Sequence, residues 1–402
     1  MKSYLVEILK NRPDDWREYI SKMWNDTIKI KEKGKYAIFN YVIDADFSDP
    51  VVCEARGIIL DTEQKKIVCW PFRKFMEYDN KCADVIDWKT ARVQEKIDGS
   101  IIKLWFDDEG ELHVSTNSEI DAEDAIVDQD FGTTFMDLVN KCTNFHEFRD
   151  LIDDDHINKN FTYMFELTTP ENKVVVKHYS YKMTLIGIRS NITGEEVPVE
   201  AFSGYRGICT PIEYELDNLE TCINYVKNHL NTHSYDGFME GFVVVDDNFN
   251  RIKIKSPIYL IAHNILSERS KEAIIKLIWE NNISNEWISD ELDIAVVKVI
   301  KYYDYKVAEE YDNICRFVNV SRKIYKQLGN DRAKTARIIG KNKKYSQFGF
   351  AALDNDKSVA DILHESNRGE VATLCKFIPR YEITSFSEYI KEAFELSETV
   401  NK

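Results

Sequence analysis

The sequence predicts an α+β protein whose strand-rich first part is followed by an all-helical second part. From about residue 34 to 262, short apolar–polar alternations separated by Asp, Asn and Gly turns indicate mostly antiparallel strands with flanking helices. After Pro257, apolar residues recur at three- and four-residue spacing, which is typical of amphipathic helices. Because 402 residues exceed one ordinary core, we predict two domains, residues 1–262 and residues 263–402.

The strands of the first domain are predicted from runs of alternating or β-branched residues. In chain order these are YAIFNYVI (36–43), RGIILD (56–61), KIVCWPF (66–72), FTYMFEL (161–167), KVVVKHY (173–179), KMTLIGIR (182–189), GFVVV (241–245) and RIKIK (251–255). A hairpin is predicted over 100–116, turning near Asp108–Gly110. A second hairpin has a predicted loop of roughly 246–251, which would pair Val245 with Ile252. The stretches 125–142 and 219–230 have helical spacing.

The helices of the second domain are predicted over 270–282, 290–328 and 358–367. Ser270, Asp290 and Ser358 precede these runs and are suitable N-cap residues. The chain has no run near the roughly 20 apolar residues of a membrane span, and its N-terminus turns acidic too early for a signal peptide. Eight scattered cysteines without a CxxC pair argue against zinc or a disulfide framework and favour a reducing cytoplasm.

Charge is distributed unevenly along the chain. The net charge of −16 argues against nucleic-acid binding over the whole surface. Residues 263–402 hold 22 acidic and 22 basic side chains and are therefore neutral overall. Residues 1–262 hold 47 acidic and 31 basic side chains, so they account for the whole net charge of −16. A polyanionic partner would therefore have to meet local positive sites. The densest is 316–344, with ten basic side chains against one acidic.

The stretch EKIDGS (95–100) places a lysine next to a turn. Lys96 and Asp98 are one residue apart, hence on one side of an extended segment, and Gly99 permits a sharp bend. Taken alone, Lys96 is either a solvated surface residue or a nucleophile. Later in the chain, Lys253 and Lys255 share one strand face, and the predicted register adds Glu240 to it. One carboxylate and two ammonium groups suit a metal-bound polyphosphate, although a charged solvent face is the alternative.

Six stretches, considered in their order along the chain, favour a reactive site over charged surface residues. They are EARGIILD (54–61), WPFRKFMEY (70–78), EKIDGS (95–100), FELTTP (165–170), EGFVV (240–244) and KIKSPIYL (253–260). This order resembles that of the covalent nucleotidyltransferases, which comprise ATP-dependent DNA and RNA ligases and capping enzymes. Within them the chain most resembles the bacteriophage RNA ligase 1 family, over roughly residues 35–262. The resemblance implies an ATP-grasp-like nucleotidyltransferase domain followed by an all-helical domain instead of an OB-fold.

The resemblance also implies roles for individual residues. Lys96 would attack the α-phosphate of ATP to form lysyl-AMP, for which neighbouring cations must lower its pKa. Lys253 and Lys255 would assist catalytically by neutralising the triphosphate. Glu240 and Glu166 would hold Mg²⁺, for which Mn²⁺ can substitute. The residues implied to contact the nucleotide are Arg56, Lys74, Glu95, Lys96, Glu166, Glu240, Lys253, Lys255 and Tyr259. For Tyr259, a place in the core is the equal alternative.

The implied function is that of an ATP-dependent RNA ligase that joins RNA 5′-phosphate and 3′-hydroxyl ends, with tRNA as a candidate substrate. Its helical domain would recognise RNA. The protein would act in the cytoplasm, which would be the host cytoplasm if a bacteriophage encodes it. No membrane and no obligatory protein partner is expected. The alternatives are a DNA ligase, a capping guanylyltransferase, and a non-catalytic RNA-binding module on the same fold.

Two features fit the expected pattern less well. The family often carries a basic side chain in the strand returning from the first hairpin, where this chain has STNSEI (115–120), with Asn117 at the basic position. Ser115–Ser118 are therefore weak site candidates. His229 and His233 are four residues apart and resemble a metal pair, but no third ligand is evident, so surface histidines are favoured.

Overall fold

A computed structural model describes residues 2–128, 131–153, 156–172, 174–228, 239–267, 270–281, 294–354, 357–364 and 374–381. The chain divides into two compact units, one of Met1–Val226 and Phe238–Ser256, the other of Lys227–Gly237 and Pro257–Lys402. None of the helices in these ranges is long and apolar enough to cross a membrane.

The first unit is rich in strands, as the sequence predicts. Its strands are β1 Ile28–Lys33, β2 Tyr36–Tyr41, β3 Arg56–Asp61, β4 Lys66–Cys69, β5 Met76–Glu77, β6 Arg92–Lys96, β7 Ser100–Phe106, β8 Leu112–Thr116, β9 Ile126–Asp128, β10 Thr133–Thr134, β11 Phe161–Thr168, β12 Lys182–Ser190, β13 Glu196–Val197, β14 Glu213–Tyr214, β15 Gly241–Val245 and β16 Arg251–Lys255. Its helices are α1 Tyr4–Asn11, α2 Trp16–Met23, α3 Pro50–Glu54, α4 Phe135–Asn140, α5 Thr143–Asp153 and the 3₁₀ helix Val199–Phe202; α6 Leu219–Asn228 crosses into the second unit.

In the described residues of this unit, three larger sheets accompany a two-stranded ribbon. The N-terminal sheet has the order β1-β2-β3-β4. The sheet that carries Glu166, here the glutamate sheet, has the order β13-β12-β11-β7-β8, and the sheet that carries the three candidate lysines, here the lysine sheet, has the order β14-β6-β15-β16-β5. All their strand pairs are antiparallel except β16 with β5, and β9 pairs with β10 as a separate ribbon. The predicted α+β class with antiparallel sheets is confirmed.

Apolar packing fixes the faces of the glutamate sheet. Ile102, Leu104, Phe165 and Leu167 point to one side and pack with α4 and α5 in a buried core. Residues of the opposite parity therefore turn to the other face. There Trp105 packs against Ile38 and Ile59 of the N-terminal sheet, while Ile101, Lys103 and Glu166 occupy the rest of the face.

The second unit is helical throughout its described residues, which confirms the prediction for this region. Its helices are α7 Pro257–Leu266, α8 Lys271–Asn281, α9 Ile294–Gln327, α10 Arg332–Ile339, α11 Ser346–Asp354 and α12 Val359–His364. The Ser270 hydroxyl accepts from the Ala273 amide and the Ser358 hydroxyl from the Asp361 amide, as expected of N-caps. The third predicted cap, Asp290, lies outside the described residues.

Two local predictions are wrong. The segment 125–142 begins with the β9–β10 ribbon, and only Phe135–Asn140 is helical. The run 173–179 forms no strand over its described residues, although its valines suggest one. The amides of Val175 and Val176 instead donate to the Asp98 carboxylate at 2.8 and 2.7 Å. Because this carboxylate accepts their hydrogen bonds, these amides are not available to a neighbouring strand.

Candidate active site

The site is a cavity of about 570 Å³ in the first unit, within the size range of small-molecule pockets. The lysine sheet contributes Gln94, Lys96, Val243, Lys253 and Lys255 to its lining, and the glutamate sheet contributes Ile101, Thr116, Glu166 and Ile186. Arg56, Phe72, Lys74 and Phe75 line it from β3 and the segment between β4 and β5. The cavity thus combines cations with carboxylates and aromatic rings.

Lys96 and Lys255 are brought together by strand pairing. Gly241 on β15 pairs with Lys96 on one side and with Lys255 on the other. Both lysines therefore lie on one face, separated by a residue without a side chain. The Glu240 carboxylate binds both ammonium groups, at 2.6 Å from Lys96 Nζ and 2.9 Å from Lys255 Nζ. It is 3% exposed, so one buried carboxylate bridges the two cations.

The predicted register of the second hairpin is wrong by one residue. Val245 pairs with Arg251 instead of Ile252, because the loop is one residue shorter than predicted. Simple alternation would then turn Glu240 away from the lysines. Gly241 has a φ of +143°, and a Cβ there would lie 2.1 Å from the Ile254 carbonyl oxygen. This glycine conformation interrupts the alternation and allows Glu240 to meet both lysines.

Lys253 lies one cross-strand pair further along, opposite Val243. Its Nζ is 3.5 Å from a Glu77 oxygen, and the same oxygen is 4.0 Å from Lys255 Nζ. Burial lowers the pKa of Lys253 to about 8; Glu77 opposes this, and the other lysines, led by Lys74, add to it. Glu77 is a site residue that sequence reasoning missed, although its motif KFMEY was recognised.

The electrostatics of Lys96 correct an expectation. The resemblance implies an amine whose pKa is lowered by neighbouring cations. Its side chain is only 20% exposed, and burial alone would lower its pKa. The nearby carboxylates, Glu240 first and then Glu166, outweigh this and raise the pKa. In the free protein Lys96 is therefore a charged ammonium group held by Glu240.

Glu166 faces this cluster from the glutamate sheet. The net effect of burial, which raises the pKa with the help of Glu240, and of Lys96 and Arg56, which lower it, is a Glu166 pKa of about 7. In the described part of the chain, no three His, Cys, Asp or Glu side chains form a ready-made metal site. Two carboxylates still fit Mg²⁺, which proteins commonly bind through one or two carboxylates and substrate phosphates. Glu240 and Glu166 are the residues that would hold it.

Arg56 and Lys74 both line the cavity but have different partners. The Arg56 guanidinium lies 5.6 Å from the Phe75 ring centroid, and its Nη1 is buried without a hydrogen-bond partner. Lys74 Nζ lies 5.0 Å from the ring centroids of both Tyr41 and Phe47. An unpartnered guanidinium nitrogen at a cavity wall is a ready donor for an anionic ligand.

The turn after Lys96 is fixed by close packing. A Cβ on Gly99 would lie 2.4 Å from the Leu167 carbonyl oxygen, so only glycine fits. Asp98 is 4% exposed, and its backbone carbonyl lies 2.7 Å from the His178 ring. The amides of Val175 and Val176 also bond to Asp98, so the segment 174–178 holds Asp98 and thereby the turn that follows Lys96. The two valines and His178 were not predicted because their contribution depends on backbone contacts.

The remaining predicted residues divide into three groups. Glu95 lines the cavity, with its amide donating to the Ile212 carbonyl. Tyr259 belongs to α7 in the second unit and is 2% exposed, which corresponds to the core alternative. Ser115 is buried and bonded to the Trp105 indole, whereas Thr116, Asn117 and Ser118 line the cavity. The histidine pair at 229 and 233 lies outside the described residues.

Sequence comparisons with known proteins agree with the motif assignment. A family model described as RNA ligase matches residues 54–259. The chain is 23% identical over 410 residues to an RNA ligase of Rhodothermus phage RM378, covering 88% of this chain and 93% of that protein. It is 28% identical over 256 residues to a putative bifunctional polynucleotide kinase/RNA ligase of Autographa californica nuclear polyhedrosis virus, covering 59% of this chain and 35% of that protein. An archaeal ATP-dependent RNA ligase structure aligns with a TM-score of 0.46 at 12% identity, over 78% of this chain and 82% of that one.

The unusual carboxyl group of Glu166 gives a pH-dependent prediction. Its folded-state pKa, about 7, exceeds its ordinary 4.5, so its contribution to stability is present below pH 4.5 and lost as pH rises through about 7. We expect a ¹³C carboxyl resonance with a midpoint near pH 7 that Glu166→Gln removes. Lys96→Met should raise this midpoint and Glu240→Gln should lower it, because Lys96 and Glu240 shift the pKa in opposite directions.

The control for this titration is Glu111→Gln, which removes an exposed carboxylate in the first hairpin and should leave the midpoint unchanged. A parent protein whose carboxyl resonances all titrate below pH 5 would contradict the prediction.

Proposed function

The chain belongs to the RNA ligase family, and from that premise we propose that it is an ATP-dependent RNA ligase that works through a lysyl-AMP intermediate on Lys96. The observation that carries the proposal is the Glu240 carboxylate between Lys96 and Lys255, with Lys253 and Glu166 lining the same cavity. A phosphoryl-transfer site needs an amine, positive charge around the phosphates and carboxylates for a metal. A binding module has no need to group them.

The proposed reaction has three balanced steps. Lys96 Nζ, after losing a proton, bonds to the α-phosphorus of ATP as the bond to pyrophosphate breaks. An oxygen of the RNA 5′-phosphate then attacks this phosphorus, the P–N bond breaks, and the lysine regains a proton. Finally the 3′-hydroxyl of the other RNA end attacks the adenylated 5′-phosphate and AMP leaves. ATP is thereby converted to AMP and pyrophosphate for each bond joined.

The residues of the site have separate roles in the proposed first step. Glu240 holds the Lys96 ammonium in the resting protein and is its nearest proton acceptor at 2.6 Å among the described residues. Lys253 and Lys255 neutralise charge on the phosphates, and Arg56 donates to them. Mg²⁺, or Mn²⁺ in its place, would be held by Glu240 and Glu166 and would supply further positive charge against the triphosphate.

We further propose that the units divide the task. The first unit carries adenylylation, and the second unit binds the RNA, with tRNA as a candidate. Support comes from the stretch 316–344, which spans the end of α9, α10 and the turn after it. Its exposed basic residues are Arg316, Lys323, Lys326, Arg332, Lys334, Arg337, Lys341, Lys343 and Lys344. The relative from a bacteriophage is consistent with work in a host cytoplasm.

The first prediction of this proposal concerns the nucleophile. Lys96→Met keeps the aliphatic side chain but removes the amine, so it should abolish the acid-labile AMP adduct formed from α-labelled ATP and Mg²⁺. The matched control is Lys89→Met, an exposed lysine of the same unit, which should label like the parent. Labelling with α-labelled GTP, or joining of 5′-phosphorylated DNA in preference to RNA, would favour a capping enzyme or a DNA ligase.

The second prediction concerns the bridged carboxylate. Lys255→Met and Glu240→Gln should each slow adenylylation by about 10²–10³-fold, the usual effect of removing one electrostatic group at a transition state. The control is Asp247→Asn, because Asp247 is ion-paired with Arg92 at the other end of the lysine sheet. Single-turnover labelling rates measure the effect. Rates within a factor of about three of the parent in both variants would remove these residues from the site.

The third prediction concerns RNA binding by the second unit. Neutralising Arg337, Lys341 and Lys343 together should weaken RNA binding and reduce the salt slope by up to about three, roughly one for each lost phosphate contact. Lys344 is excluded because its Nζ donates to the largely buried Glu310 at 2.9 Å and stabilises the fold. Self-adenylylation should be unchanged.

The control for RNA binding is the triple alanine variant of Lys276, Lys301 and Lys376, which removes the same charge from exposed positions elsewhere in the second unit. Equal RNA affinity and equal salt slope in the two triple variants would show that the stretch 316–344 has no particular part in binding.

A further inference from the structure

Lys103 is a fully buried lysine to which the reaction above gives no role. It lies in the middle of β7 with 0% exposure, and among the described residues no carboxylate forms an ion pair with it. Its Nζ donates to the Gly57 carbonyl oxygen. Burial, opposed by Cys69 and reinforced by Arg56, lowers the pKa of Lys103 to about 8. An isolated buried cation is costly, so its presence calls for a specific use.

The position of Lys103 connects it to the cavity. Residues 101, 103 and 105 share one face of β7, and Ile101 lines the cavity while Trp105 packs against the N-terminal sheet. Lys103 lies between them, behind the cavity wall. Its acceptor, Gly57, directly follows Arg56, whose Nη1 lacks a hydrogen-bond partner. The ammonium group therefore holds the backbone at the point from which the Arg56 side chain departs.

Asn117, which follows β8, also lies beside Gly57. Ser115 pairs with Lys103 across β7 and β8, and Asn117 follows two residues later. A Cβ placed on Gly57 would lie 2.8 Å from Lys103 Nζ and 2.9 Å from Asn117 Oδ1, so both atoms lie beside Gly57. Asn117 Oδ1 is buried and has no hydrogen-bond partner. Position 117 is the one at which the sequence resemblance leads us to expect a basic side chain.

We propose that Lys103 is a positioning residue that supplies, from the neighbouring strand, the positive charge that Asn117 does not provide. Its bond to the Gly57 carbonyl fixes the start of the Arg56 side chain. Its charge also adds to the positive potential at Arg56, which makes an anionic ligand there more favourable. The ligand class is a nucleotide phosphate, so this inference rests on the proposed function.

The test removes the positive charge from position 103 in β7 and places one at position 117, which follows β8. Lys103→Met should raise KM for ATP or lower kcat of adenylylation by about tenfold or more, as misplacement of a site group does. Its thermal midpoint should not fall comparably, because removing a buried charge also removes its desolvation cost. The double variant Lys103→Met with Asn117→Lys should recover most of the loss, whereas Asn117→Lys alone should bring no gain, because it places two cations together.

Two further variants separate charge from packing. Lys103→Gln keeps a donor for the Gly57 carbonyl without the charge, and it replaces Lys103→Met if that variant does not fold. Lys159→Met is the matched control, because Lys159 also donates to a glycine carbonyl, that of Gly110, but is exposed and outside the cavity. Parent kinetics in Lys103→Met, or a double variant no better than Lys103→Met, would overturn the inference.

A binding measurement distinguishes this inference from the proposed function. ATP affinity is measured by calorimetry in a Lys96→Met background, which cannot react, with and without Lys103→Met. Weaker ATP binding on loss of Lys103 supports the inference, whether or not the parent forms an adduct. A parent that forms no adduct would count only against lysyl-AMP formation. Normal labelling of the parent with ATP binding and kinetics that do not depend on Lys103 would reject the inference alone.

Discussion

The site depends on one carboxylate held between two lysines across a glycine. Glu240 bonds to Lys96 and Lys255, which flank Gly241 on the same face of three paired strands. A side chain at position 241 would collide with the β16 backbone, and ordinary alternation would turn the carboxylate away. The positive φ of this glycine therefore decides whether the two cations have a common partner. Without that partner, two ammonium groups would be buried side by side at considerable electrostatic cost.

The rest of the cavity extends the same balance of charge. Lys253 shares Glu77 with Lys255, and the depressed pKa of Lys253 shows that its ammonium is only weakly compensated. The raised pKa of Glu166, on the glutamate sheet, shows that the negative charge of its buried carboxylate is also only weakly compensated. A domain with an excess of acidic residues thus contains a cavity in which the Lys253 ammonium and the Arg56 Nη1 are poorly compensated. Such a cavity attracts a compact polyanion without making the surrounding surface attractive to one.

The sequence did not point to Glu77, and the predicted Tyr259 is buried in α7. From its six ordered motifs, the sequence did predict that Glu240 comes together with Lys96 and Lys255. It did not predict how they meet. The register of β15 with β16 was wrong because loop length and the φ of Gly241 are not encoded in apolar alternation. The run 173–179 resembled a strand because β-branched residues favour one, but the amides of two of its valines bond to Asp98. Lys103 was hidden because a lysine inside an apolar strand predicts a surface position.

In the proposed reaction, the protonation state of Lys96 determines what ATP binding must accomplish. A triphosphate alone would stabilise the ammonium form, since an anion favours a nearby cation. The protein already holds that form through Glu240, so the free amine cannot arise from phosphate binding by itself. It requires that positive charge gathered around the phosphates, from Lys253, Lys255 and Arg56 together with a divalent cation, exceeds what the nucleotide brings. Self-adenylylation should therefore depend more steeply on the charge of this cavity than nucleotide binding does, because binding needs attraction alone whereas attack also needs the amine to lose its proton.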